Sequence, residues 1–213
     1  MVMPSFEFED KLNGLVVGID EAGRGPWAGP VVAGAVVFLK KNIDNFLLDN
    51  LNDSKKLSIK KREILYDKIM QAKEKGDLLV GIGQASAEEI DNMNILQATF
   101  LAMQRAFGAL ECKPDFAIVD GNQKPKGLSC DCMTLVKGDA LSYSVAAASV
   151  VAKVYRDKIM ADLAKRYPYY GFEKNAGYGT KAHVVGLNEY GIIPGIHRIS
   201  YKPIQEILCR RVA

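Results

Sequence analysis

The chain of 213 residues predicts an α/β fold, a mixed sheet flanked by helices and followed by a helical tail. Three observations lead there. Short runs rich in β-branched residues, LVVGIDE at 15–21, VVAGAVVFL at 31–39, LLVGIGQA at 78–85 and DFAIVD at 115–120, have the length and composition of buried strands. The segments between several of them carry helix caps, apolar periodicity and glycine stops. A hydrophobic content of 48% with 25% charged residues is ordinary for a globular chain long enough to bury a sizeable core.

Taken in order, the first strand covers 15–21 and runs straight into Asp20 and Glu21. A glycine-rich turn leads to the second strand at 31–39. A helix follows Ser58, its predicted cap, with apolar residues at 57, 64, 65 and 69 on one face and Gly76 as its stop. The third strand is 78–85. Ser86 and Glu89 form a capping box for one helix, and another covers about 93–110. The fourth strand ends at Asp120, with Gly121-Asn122 as a turn. A polar loop over 121–131 leads to a short fifth strand at 133–136. Asp139 then precedes an alanine-rich helix over about 140–166, which must end before Pro168. A loop rich in glycine and tyrosine, a helix over 181–190 and a short tail helix complete the chain. No internal repeat interrupts this order. A single domain over 1–213 is expected, with a core over about 15–167 and a C-terminal helical extension over about 168–213.

Bulk properties narrow the function classes. A net charge of +3 is compatible with a polyanionic partner without proving one. Cys130 and Cys132 form a C-x-C pair with neither a second pair nor nearby histidines, which argues against zinc and for free thiols in a reducing compartment. No apolar run approaches the roughly 20 residues of a bilayer span, and no leader pattern opens the chain. A cytoplasmic protein, with a monomer as the simplest assembly and no membrane partner, is the expectation.

The chemistry lies in the acids. Asp20, Glu21, Asp120 and Asp139 each sit at a strand end or beside a turn, and in open α/β sheets the ligand crevice lies at strand carboxyl ends. Converging carboxylates repel one another unless hard cations compensate them, and Mg²⁺ or Mn²⁺ prefer oxygen ligands. Two such ions about 4 Å apart clamp the attacking and leaving oxygens of a phosphodiester displacement. The bland alternatives are helix capping for Asp139 and a turn role for Asp120. The adjacent pair is harder to dismiss, because side chains on a strand alternate faces. The expectation is that the strand stops between Asp20 and Glu21, so that the turn re-aims Glu21 and both acids face Asp120 and Asp139. Gly23-Arg24-Gly25 lets backbone approach a ligand and places Arg24 to reach a phosphate, although Gly-x-Gly alone is a weak signal.

The stretch GIDEAGRGPWAGPVVAGAVVF resembles the opening motif of the bacterial ribonuclease HII family. The match continues through DSKKL at 53–57, VDGN ending at Asn122, KGD ending at Asp139, AAASVVAKVYRD, YP…YGF at 167–172, GYGT at 177–180 and His197-Arg198. It covers about residues 15–202. The resemblance implies a ribonuclease H-like fold with a five-stranded mixed sheet. It also implies hydrolysis of the RNA strand of RNA–DNA hybrids, including single ribonucleotides embedded in duplex DNA. By motif, Asp20, Glu21, Asp120 and Asp139 would hold two Mg²⁺ or Mn²⁺ ions, leaving 5′-phosphate and 3′-hydroxyl ends. Gly23, Arg24 and Gly25 would contact the 2′-hydroxyl, the group that distinguishes RNA from DNA. Tyr178 would pack on the following deoxyribose. The sibling ribonuclease HIII type lacks the GRG signature. Trp27 departs from the family pattern, which has leucine or a similar residue there, and puts a large side chain near the substrate loop.

Supporting residues follow. Lys55, Lys56, Lys124, Lys126, Lys153 and Arg156 offer phosphate contacts, with Lys55 and Lys153 favoured by the motif match. His197 is expected to be structural or to contact a phosphate. Ala146, Ala147 and Ala148 read as a close-packing face. An actin-like kinase would need a repeated second half and greater length. A catalytically dead binder would have no need of four acids.

Overall fold

The structure, a computed structural model, describes residues 3–51 and 57–212. Five strands form one sheet in the order β3-β2-β1-β4-β5. They are β1 (Val16–Ala22), β2 (Val31–Phe38), β3 (Leu78–Ala85), β4 (Phe116–Asp120) and β5 (Asp131–Leu135). β1, β2 and β3 pair antiparallel, and β4 and β5 run parallel to β1. The mixed sheet flanked by helices is the one predicted. β5 starts two residues earlier than expected.

Local chemistry explains the helices. α3 (Ile59–Glu74) begins where the Ser58 hydroxyl accepts from the Lys61 amide, and Gly76 ends it at φ +70°. Leu65 and Ile69 face the core, but Ile64 is exposed, one position off the buried stripe. α4 (Ala87–Met93) starts at the full Ser86–Glu89 capping box, and Asn94 separates it from α5 (Ile95–Gly108). The long α6 (Tyr143–Arg166) begins three residues later than the alanine pattern suggested. The chain first makes a tight 3-10 turn over Gly138–Ala140, and the Ser142 hydroxyl then caps the helix through the Val145 amide. The short α1 (Glu7–Asp10), α2 (Asn45–Asn50) and α7 (Phe172–Asn175) were not legible, since fewer than two turns show no periodicity. α8 (Lys181–Tyr190) and α9 (Lys202–Val212) complete the order.

Two cores sandwich the sheet. On one face Val17, Ile19, Ala33 and Val119 pack against Ala98, Ala102 and Met103 of α5. On the other, Val36 and Val80 meet Ala147, Val150 and Val151 of α6 together with Leu65 and Ile69 of α3. α6 lies close because Gly18 and Gly34 leave room for it. A Cβ at Gly18 would sit 2.1 Å from the Ser144 carbonyl carbon, and one at Gly34 would sit 2.5 Å from the Ala148 carbonyl oxygen. A third cluster joins Met160 and Leu163 of α6 to Phe172, Leu187, Ile204 and Ala28. The C-terminal extension thus packs on the glycine-rich loop after β1. Among the described residues no helix is long and apolar enough to cross a membrane.

The N-terminal arm is tied to the start of α6. Ser5 bridges Ser142, and Glu9, buried, accepts from the Ser142 hydroxyl at 2.7 Å and the Ser144 amide at 3.0 Å. A carboxylate at a helix N-terminus satisfies orphan amides and complements the helix dipole.

Candidate active site

The acids meet where β1 and β4 run out. Their parallel ladder ends at Ile19 opposite Val119, leaving Asp20 and Asp120 side by side one residue beyond it. Both alternate with Ile19 and Val119 of the α5 face and so lie on the α6 face, and Asp139 lies in the turn just before α6. The Gly138 amide donates to Asp120 Oδ1 at 2.7 Å, tying the Asp139 turn to the end of β4.

The expected break between Asp20 and Glu21 does not occur. β1 continues to Ala22, with Asp20 opposite Gly34, Glu21 opposite Ala33 and Ala22 opposite Val32. Alternation therefore holds, and Glu21 lies on the α5 face instead of being re-aimed. It still reaches Asp120, because the sheet ends there: the two share a shallow cleft with Leu96, Thr99 and Phe100 of α5. The Glu21 side chain is 15% exposed, and Arg24 Nη1 lies 3.4 Å from its Oε1. Convergence comes from the end of the β1–β4 ladder and not from the turn.

Electrostatics mark Asp20 as the centre. It is 3% exposed. Burial above all, then the charges of Glu21 and Asp120, and finally Asp139, raise its pKa well above the usual carboxylate range. The Glu21 amide, donating to Asp20 Oδ1 at 2.6 Å, works in the opposite direction. The four carboxylates are neighbours, not a closed ligand shell. Among the described residues no group of three or more His, Cys, Asp or Glu is placed to hold a metal ion as it stands. The donor chemistry fits a hard divalent cation all the same, being all-oxygen and strongly anionic, with Asp20 and Asp139 buried.

The glycine-rich loop lies beside these acids. Gly23 has φ +99°, and a Cβ there would strike Arg156 Nε at 2.1 Å. A Cβ at Gly25 would lie 3.3 Å from the Tyr178 ring, so Gly25 and the half-exposed Tyr178 line one spot. The Trp27 ring lies under Gly179, and its amide donates to the Gly177 carbonyl at 2.8 Å. That large side chain packs against the tyrosine loop from inside.

Residues 17–204 of the chain match the family model for Ribonuclease HII. The chain belongs to the ribonuclease HII family. It is 52% identical over 206 residues to the ribonuclease HII of Jannaschia sp. (strain CCS1), covering 97% of this chain and 98% of that one. It is 50% identical over 204 residues to the ribonuclease HII of a Wolbachia sp. (subsp. Brugia malayi), covering 96% of each. Among solved structures, ribonuclease H2 from Pyrococcus horikoshii OT3 superposes with a TM-score of 0.75 at 31% identity, over 92% of this chain and 98% of that one. The fold is therefore ribonuclease H-like, and membership of the ribonuclease HII family makes the chain a nuclease, a hydrolase.

The basic residues divide sharply. Lys55, with Asp53 and Lys56, falls outside the described residues. Lys153 is one-quarter exposed and donates to Asp157 at 2.5 Å. It lines a groove of about 400 Å³ with Arg62, Lys158 and Lys174. Arg156, expected to reach phosphate, is buried and donates to the backbone carbonyls of Ala28, Pro30 and Ala176. His197 is also buried, which removes the phosphate-contact alternative and leaves the structural one.

Sequence reasoning missed the partner of His197. The Ile193 amide donates to His197 Nδ1 at 2.8 Å, so the ring proton must sit on Nε2. That N–H faces His183 Nε2 at 3.0 Å, which leaves His183 Nδ1 to donate to the Tyr178 carbonyl at 3.0 Å. Two neutral imidazoles in fixed tautomers thus hold the Tyr178 backbone. Burial first, then the neighbouring His183, pushes His197 down to about 4. The signal available was weak: the chain has only two histidines, and both fall in its last quarter.

Proposed function

We propose that this ribonuclease HII family member hydrolyses the RNA strand of RNA–DNA hybrids, including a single ribonucleotide embedded in duplex DNA, and leaves 5′-phosphate and 3′-hydroxyl ends. Asp20, Glu21, Asp120 and Asp139 hold two Mg²⁺ or Mn²⁺ ions in this reading. The observation that carries it is Asp20, buried and raised by three neighbouring carboxylates. A fold tolerates such a site where a function requires it.

Each side chain has a distinct task. Asp20 is held by the Glu21 amide and Asp120 by the Gly138 amide, so both present fixed oxygens. Glu21 completes the set from the α5 face. Bound ions would supply Lewis-acid stabilisation of the attacking and leaving oxygens. Gly23–Gly25 offers backbone to the ribose, and Tyr178, beside Gly25, offers a ring to the next sugar. Arg24, half-exposed, faces the phosphates together with Lys153 at the edge of its groove.

The test is a duplex with one ribonucleotide. In Mg²⁺ or Mn²⁺ it is nicked on the 5′ side of that ribonucleotide. EDTA or Asp120→Asn abolishes the nick, and an all-DNA duplex of the same sequence survives. Equal cutting of both duplexes by the wild-type protein would defeat the reading.

A further inference from the structure

The loop between β1 and β2 turns five backbone carbonyls inward onto two buried guanidiniums. Arg198 donates from Nη2 to Gly23 O at 2.5 Å and Gly29 O at 2.9 Å, from Nη1 to Arg24 O at 2.9 Å, and from Nε to Gly29 O at 3.0 Å. Its Nη1 also meets the Tyr201 hydroxyl at 2.9 Å, and that hydroxyl donates to Arg24 O at 2.6 Å. Arg156 donates to Ala28 O at 3.1 Å and Pro30 O at 3.0 Å, and ties both to Ala176 O at 3.0 Å. The two arginines are 0% and 1% exposed, and their described hydrogen bonds include no carboxylate.

Asp157 and Asp91 act on these cations only through space, and burying two cations without a hydrogen-bonded carboxylate is costly; apolar side chains would fill the space more favourably. The arginine fork does something an apolar residue cannot: it sets which way a peptide faces. A trans peptide points its C=O and its N–H in opposite directions. With the carbonyls of Gly23 and Arg24 aimed at Arg198, the amides of Arg24 and Gly25 face away from it. Both residues are exposed, and neither amide donates to an acceptor among the described residues.

We propose that Arg198, supported by Arg156, is a positioning residue that polarises this loop so that it presents two amide donors and selects an acceptor oxygen. Naming that oxygen as the ribose 2′-hydroxyl rests on the function proposed above; the polarity of the loop does not. The same segment extends the control to the aromatic side of the site. Arg198 follows His197, which bridges Ala28 and, through His183, holds the Tyr178 carbonyl. Donors and ring are therefore set by one anchor from the C-terminal extension.

Arg198→Lys keeps the charge but cannot span three carbonyls. Its kcat on the single-ribonucleotide duplex should fall about 100-fold, the scale of a misplaced contact. Its Kd for an all-DNA duplex, carried by phosphate contacts, should stay within about twofold. A general loss of structure would move both. Should wild-type protein cut ribonucleotide and all-DNA duplexes alike, the function reading falls. If wild type discriminates and folded Arg198→Lys keeps its kcat within about threefold, the positioning inference falls instead. Should Arg198→Lys fail to melt cooperatively, hydrogen exchange in the wild type decides. The Arg24 and Gly25 amides should exchange fast in the free protein and become protected by a ribonucleotide duplex but not by all-DNA, while the Nε–H of Arg156 and Arg198 exchanges slowly. Protected Arg24 and Gly25 amides in the free protein, or freely exchanging Nε–H groups, overturn the proposal.

Discussion

Asp20 is a charge held where the surrounding fold favours its neutral form. Replacing it with asparagine keeps an oxygen for the Glu21 amide and removes the repulsion from Glu21, Asp120 and Asp139. Metal-free Asp20→Asn should therefore be more stable than the wild type by about 1 kcal/mol and melt at a higher temperature, while its nicking activity collapses. Thermal melts in EDTA, paired with a nicking assay, check both halves; a less stable variant would contradict the electrostatic account. At this scale the acids were legible because a charge ending an apolar run needs an explanation. Arg156 and Arg198 were not, because nothing local distinguishes a buried guanidinium from a solvated one. Most of their partners are carbonyls of the loop after β1, more than a hundred residues away in the chain.

The elements position those residues by close approach. Gly18 on β1 touches the backbone of the first turn of α6, which follows the turn bearing Asp139. Gly18→Ala would push that turn away from the sheet, at a cost of about 1–3 kcal/mol. Activity should fall further than stability predicts, since Asp139 moves with the turn. Chemical denaturation beside kcat at a temperature where the variant is fully folded separates the two effects. Strands and capped helices were readable from sequence because their signals are local: Ser58, the Ser86–Glu89 box and Gly76 all act as expected. The continuation of β1 through Glu21 was not, because it depends on pairing with Ala33 across the sheet. The glycine-rich composition suggested an earlier turn, and the ladder with β2 overrode it.

For the molecule as a whole, the C-terminal extension packs against the loop that borders the proposed site. It carries Tyr178, the two histidines and Arg198, and its core cluster includes Ala28 from the loop after β1. The paired histidines make this docking sensitive to acid. His197 falls to about 4 in the folded chain against 6.5 for the free side chain. Between those values the unfolded chain binds the extra proton, so stability is complete above about pH 6.5 and declines as the pH falls toward 4. The loss is roughly 3 kcal/mol at the lower end. His197→Asn should flatten that decline in urea midpoints measured from pH 7 to pH 4. An unchanged slope would assign the acid sensitivity elsewhere.

In the proposed mechanism, four carboxylates from the ends of β1 and β4 and the turn before α6 act together on two divalent cations. Calorimetric titration of Mn²⁺ into the protein bound to an uncleavable 2′-deoxy duplex measures this directly. Two ions per chain are expected for the wild type and at least one fewer for Asp20→Asn. Equal stoichiometry and affinity in the two proteins would contradict it.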